Sequence, residues 1–187
     1  MPVRALLLTP GAGSDRDHPS LVAIERALDP LAVTRVDFPY RRAGRKAPDR
    51  APVLVECVRT EAAALAERVG CDPREVVLGG RSMGGRICSI AVAEGLPAAG
   101  LVLVSYPLHP PGRPERLRTA HFPALDVPCL FLSGTRDAFG TVEELSHWTA
   151  EIPGPVTHEW IEGAGHDLKR ADERVAGIVA RWVTGLG

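Results

Sequence analysis

The chain has 187 residues, 22 basic and 23 acidic side chains, a formal net charge of −1 and 45% hydrophobic residues. That length suits one domain, expected to span residues 1–187, and is enough to bury a core without disulfides or metal staples. The near-neutral balance excludes a strongly basic nucleic-acid-binding face and chain-wide disorder, so no nucleic-acid partner is expected.

Taken in chain order, apolar runs alternate with helical patterns. Residues 3–9 predict a strand; the run Ala5-Leu6-Leu7-Leu8 is too short for a secretory core or a membrane span and flows into a Gly-rich turn. No membrane association is therefore expected, and the location is expected to be cytoplasmic. Residues 20–28 predict a helix, with Leu21, Ile24 and Leu28 on one face, and residues 32–38 a second strand. A helix is expected over 53–69, because Leu54, Val58, Ala62, Leu65 and Val69 recur at spacings of three and four. The remaining strands are expected at 75–79, 100–105, 127–133 and 156–161, and helices at 83–94, 141–150 and 171–183. Thr141 and Glu144 form a capping-box signature at the start of one of them.

This alternation predicts right-handed βαβ units and an α/β fold with about six parallel strands flanked by helices. The strands read as continuous apolar runs, as they must when both faces are covered. Two segments break the rhythm. Residues 40–52 are basic and rich in Pro and Gly, with Arg41, Arg42, Arg45, Lys46 and Arg50. Residues 106–126 contain Pro107, Pro110, Pro111, Pro114 and Pro123. Both leave the C-terminal edge of the sheet, where open α/β sheets bind ligands. The basic cluster is either a solvated loop or a receptor for an anionic ligand. The cysteines Cys57, Cys71, Cys88 and Cys129 form no CxxC pair and no zinc-ligand spacing, so buried small hydrophobes in a reducing compartment are expected, with no metal site.

The chemistry is carried by Gly80-Arg81-Ser82-Met83-Gly84. Gly-x-Ser-x-Gly is a short pattern, but here an apolar strand precedes it and a helix follows, the context a nucleophile elbow requires. Ser82 is then the candidate nucleophile. A serine hydroxyl needs a base to take its proton, and the base needs an orienting acid. In this arrangement the acid and the histidine follow in that order, on loops after later strands. Strand 127–133 runs into Gly134-Thr135-Arg136-Asp137, and Gly163-Ala164-Gly165-His166 follows the last strand. Asp137 and His166 are therefore the expected partners. Capping of the helix near Thr141 is the alternative use for Asp137. Asp126 and Asp167 compete as the acid; the first precedes its strand, at the wrong edge, and the second directly follows the histidine. A tetrahedral intermediate needs two N–H donors, expected from Met83 and from Ala12 in the loop Thr9-Pro10-Gly11-Ala12-Gly13-Ser14. That loop lacks the GxGxxG and GK[ST] patterns of a phosphate cradle. Gly11, Tyr106 and His109 are candidates for shaping the substrate pocket; for His109 the competing role is a part of a proline-stiffened structural loop.

Several runs together resemble a known family: Pro10-Gly11-Ala12-Gly13, Phe38-Pro39-Tyr40, Gly80-Arg81-Ser82-Met83-Gly84-Gly85-Arg86, Tyr106-Pro107-Leu108-His109-Pro110-Pro111-Gly112, Gly134-Thr135-Arg136-Asp137 and Gly165-His166-Asp167-Leu168. They resemble the small, lidless α/β hydrolases related to dienelactone hydrolase. More narrowly, they look like the family shared by bacterial hydrolase-like proteins, a testis-expressed protein and a subunit of a chromatin acetyltransferase complex. The resemblance implies the α/β-hydrolase fold without a lid, the spatial strand order 2-1-3-4-5-6, and the triad Ser82, Asp137 and His166; the chain is short for the superfamily, so the usual N-terminal hairpin is expected to be absent. Dienelactone hydrolases proper carry a Cys where Ser82 stands, so the resemblance does not extend to their substrate. The expected function is hydrolysis of a small ester or thioester through an acyl-serine, without a cofactor. The competing readings are a catalytically silent binding or scaffold module and an acyltransferase.

Overall fold

The computed structural model describes residues 1–186. Six parallel strands form one sheet in the order 2-1-3-4-5-6: β1 Ala5–Thr9, β2 Ala32–Arg35, β3 Val76–Arg81, β4 Gly100–Val104, β5 Cys129–Gly134 and β6 Val156–Ile161. The helices are α1 Pro19–Ala27, α2 Pro39–Arg42, α3 Ala51–Val69, α4 Met83–Ala93, α5 Val142–Thr149 and α6 Asp172–Thr184. No helix among the described residues is long and apolar enough to cross a membrane.

The side-chain alternation of a strand sorts each apolar run into two cores. Leu7, Leu78, Leu101, Leu103 and Phe131 face a core shared with α3 and α4, whereas Leu6, Leu8, Val77, Val102, Leu130 and Leu132 face one shared with α1 and α6. Every residue of β1, β4 and β5 is buried, and each fully buried Leu or Phe contributes about 2 kcal/mol. The edge strands β2 and β6 are mostly half-buried.

The boundaries differ from expectation where local chemistry intervenes. The second strand stops at Arg35, three residues early, and Pro39 opens the short helix α2 inside what reads as a loop, its fixed φ suiting a first helical position. Tyr40, within it, is wholly buried. The third strand runs two residues further than expected, to Arg81, which brings it up to the elbow. The capping box of α5 is present, with Thr141 and Glu144 each bonded to the other's backbone.

The segment 106–126 is pinned by buried polar contacts. Ser89 donates its hydroxyl to the Arg86 carbonyl at 2.8 Å and accepts from His121 Nε2–H at 2.8 Å. Burial and the positive charge of Arg86 push His121 down from 6.5 to about 4. Its folded value lies below its unfolded one, so below about pH 6.5 the unfolded chain takes up a proton that the folded chain refuses until about pH 4. Stability present at neutral pH is lost across that window. Between neutrality and about pH 5 the wild type is expected to lose about 1–2 kcal/mol more than His121→Gln, measured by urea unfolding at the two pH values. Equal acid sensitivity in the two proteins would show that His121 does not set the acid limb.

Candidate active site

Between β3 and α4 only Ser82 intervenes. It holds φ 52° and ψ −117°, a left-handed conformation that costs a non-glycine residue about 1–3 kcal/mol. The turn is held by its surroundings: the Ser82 amide donates to the Val104 carbonyl of β4 at 2.8 Å. A Cβ on Gly80 would collide with the Thr9 carbonyl and hydroxyl, and one on Gly84 would lie 2.5 Å from the Thr9 carbonyl oxygen. The elbow therefore presses directly on the end of β1, and only glycine fits at either position.

The loops after β5 and β6 supply the partners. Ser82 Oγ lies 2.8 Å from His166 Nε2, and His166 Nδ1 lies 2.8 and 3.0 Å from the two carboxylate oxygens of Asp137. An ionised Asp137 accepts from Nδ1–H, which leaves Nε2 with its lone pair toward the serine hydroxyl. The Asp137 side chain is 1% exposed and that of His166 20%. Asp137 also accepts from the Phe139 amide at 2.8 Å, which fixes its rotamer. It does not cap α5, whose cap is Thr141. Phe139 stacks on the His166 ring with centroids 3.9 Å apart. Arg81 Nη2 donates to the His166 carbonyl at 2.9 Å, tying the histidine loop to the elbow strand. The two loops also touch where Gly134 meets the Ala164 carbonyl, an approach that a side chain at 134 would block. Of the competing acids, Asp167 is exposed and pairs with Lys169 at 3.3 Å, and Asp126 is exposed ahead of β5.

The loop after β1 reaches the elbow from the other side. Gly11 lies against Ser82, and Tyr40 Oη donates to the Ala12 carbonyl at 2.9 Å, fixing the peptide that presents the loop's amides. Among the described residues, neither the Ala12 nor the Met83 amide hydrogen is taken by an internal acceptor. Met83 is also the first residue of α4, where the helix dipole adds positive character. A cleft of about 630 Å³ opens over these groups, lined by Gly11, Ala12, Ser82, Met83, Phe139 and His166 among others. A hollow of similar size, about 650 Å³, lies at the opposite edge of the sheet, between Pro2, Leu28, Pro30 and Val183. It holds no nucleophile and base in contact, so the chemistry belongs to the elbow cleft.

Two expected pocket residues lie elsewhere. Tyr106 is buried and donates its hydroxyl to the Arg118 carbonyl at 2.7 Å; it supports the wall rather than lining it. His109 is buried too, bonded to the Pro110 carbonyl at 2.9 Å and to Glu144 at 3.3 Å. Burial opposes its protonation, but these two acceptors outweigh burial and raise its pKa. It braces the proline loop against α5. Nor does the basic segment 41–50 line the cleft: Arg41 pairs with Asp15, Arg42 with Glu61 and Arg45 with Asp49. The cations that do line it are Arg81, Arg86 and Arg118. Sequence reasoning gave none of the three a role in the cleft. Arg86 had a signal, since it stands four residues after Ser82 on a helix and so shares its face. Arg118 had none.

Known structures share this architecture at low identity. The chain is similar to the esterase domain of a Rhodothermus marinus protein, with a TM-score of 0.74 and 16% identity over 100% of this chain and 89% of that one. It is similar to an alpha-beta serine hydrolase homologue from Coxiella burnetii, with a TM-score of 0.75 and 19% identity over 97% and 86% of the two chains. A dienelactone hydrolase from Anabaena variabilis gives a TM-score of 0.77 and 18% identity over 97% and 85%. At these identities the likeness establishes the fold. The model of the alpha/beta hydrolase domain family matches residues 2–177, nearly the whole chain, and the protein belongs to that family.

Proposed function

We propose that this protein is a serine hydrolase that cleaves small esters or thioesters through an acyl-Ser82 intermediate. The observation that carries the reading is the hydrogen-bonded line from Ser82 Oγ through His166 to buried Asp137, with links of 2.8 Å on each side of the ring. A scaffold has no use for a strained serine aimed at a histidine whose tautomer is set by a carboxylate.

The reaction follows from the geometry. Ser82 Oγ attacks the substrate carbonyl carbon while its proton passes to His166 Nε2. Asp137 stabilises the imidazolium and keeps the ring oriented. The carbonyl oxygen becomes an oxyanion, toward which the free Ala12 and Met83 amides donate. The tetrahedral species collapses, and the alcohol or thiol departs with the proton from Nε2. Water then attacks the acyl carbon, gives a proton to Nε2, and Ser82 is released with its hydrogen restored. The elbow cleft suits short acyl groups. The narrower likeness to the family of the testis-expressed protein and the acetyltransferase subunit belongs to this proposal and names no substrate. A cytoplasmic location, which the four free cysteines favour, belongs to it too.

A fluorophosphonate probe tests the reading directly. The expected result is labelling of Ser82 in the folded protein, absent in Ser82→Ala and lost in His166→Ala. Folded wild type that stays unlabelled overturns it.

A further inference from the structure

The elbow cleft has one chemical bias: its lining includes Arg81, Arg86, Arg118 and His18, and no Asp or Glu. The three arginines are not equivalent. Arg81 is engaged, donating to the His166 carbonyl; burial lowers its pKa, as it does that of Arg118, but Asp167, Asp172 and Asp137 partly offset this. Arg86 and Arg118 are without such partners. Among the described residues no carboxylate lies within 4.0 Å of either guanidinium. The Arg118 side chain reaches only the Pro107 carbonyl, at 3.4 Å, and the Arg86 side chain makes no hydrogen bond. Three arginines of the segment 41–50 make the contrast: half-buried Arg41 and exposed Arg42 and Arg45 each have a carboxylate.

The arrangement is costly and firmly held. Burial lowers the Arg118 pKa, and the charge of Arg86 lowers it further, so two like charges share a half-buried wall. Here Arg118 is anchored through its backbone: its amide donates to the Leu108 carbonyl at 2.9 Å and its carbonyl accepts from buried Tyr106 Oη at 2.7 Å. Arg86 is anchored by its place in α4, with its carbonyl bonded to Ser89. Two half-buried guanidinium groups lining one cleft match a carboxylate or phosphate in both charge and fork geometry.

We infer that the substrate hydrolysed at Ser82 carries a small anionic group, a carboxylate or a phosphate, held by Arg86 and Arg118 while the carbonyl is presented to the serine. This rests on the hydrolase reading above and adds the substrate class to it. The anion neutralises the arginine pair on binding, so an anionic substrate gains what a neutral one of the same shape does not.

Matched substrates test it. One pair is p-nitrophenyl butyrate against mono-p-nitrophenyl glutarate, which places a carboxylate on the acyl group. The other is S-butyryl-N-acetylcysteamine against butyryl-coenzyme A, which places phosphates on the leaving group. In the pair that matches the source of the anion, kcat/KM is expected to favour the anionic member by roughly 10- to 100-fold at low ionic strength. High salt erodes that ratio, and Arg118→Gln and Arg86→Gln each move it toward one. Esters that turn over with no anionic preference in either pair overturn the inference and leave the hydrolase reading standing. So does a preference that survives both substitutions. If no ester is turned over, the hydrolase reading falls, and the anion site is decided by calorimetry of monomethyl glutarate and inorganic phosphate on Ser82→Ala protein. Binding lost in Arg118→Gln upholds the site, and no binding overturns it.

Discussion

Ser82→Ala is expected to lower kcat for any ester the protein turns over by about five orders of magnitude, to the level that binding and the two amide donors supply alone. His166→Ala is expected to cost about as much, and the double variant no more than either. The non-additivity is the diagnostic part. Serine and histidine perform one proton transfer across a single 2.8 Å hydrogen bond, so removing either member removes the whole step. Asp137→Asn is expected to cost about 10⁴, because an amide offers Nδ1–H a poorer partner and admits the wrong tautomer. Single-turnover and steady-state kinetics on one ester, with near-ultraviolet circular dichroism to confirm folding, measure all four proteins. Retention of more than about 1% of kcat in Ser82→Ala would exclude the hydroxyl as nucleophile.

Gly84→Ala is expected to destabilise the fold by about 3–5 kcal/mol, in the class of overpacking at a backbone contact. The new methyl would sit 2.5 Å from the Thr9 carbonyl oxygen and 2.6 Å from that of Pro10. Both obstacles are backbone, so no side-chain rotation relieves the clash. The end of β1 must part from the elbow, and the loop carrying Ala12 moves with it. Gly13→Ala, in the same loop, meets nothing within 4 Å and is expected to change stability by less than about 0.5 kcal/mol. Urea unfolding of the two variants gives the comparison. A Gly84→Ala midpoint equal to wild type would mean that the elbow is not packed against β1 as described.

The sheet was legible because its signals are local. Residues such as Leu6-Leu7-Leu8 and Leu101-Val102-Leu103 are apolar at every position, which only a strand covered on both faces tolerates, and the helical stripes sit between them. Right-handed crossovers fix the face on which each helix lies, while the order 2-1-3-4-5-6 came from the family resemblance. The positions of Ser82, Asp137 and His166 were legible for the same reason: each is defined by the strand it follows, and parallel strands deliver their loops to one edge.

The shape of the cleft wall is another matter. In the sequence alone, His109 and Tyr106 look like pocket residues, since they leave β4 at the right edge. Their side chains turn inward because partners, Glu144 and the Arg118 carbonyl, are brought to them by chain 12 to 35 residues away. The basic run 41–50 looks like the place for an anion, yet Asp15 and Glu61 neutralise Arg41 and Arg42 from other elements, and Asp49 neutralises Arg45. Periodicity and motif spacing are written along the chain and could be read there. Which arginines end beside the nucleophile without a counter-charge depends on contacts between loops far apart in sequence, and only the folded chain decides it.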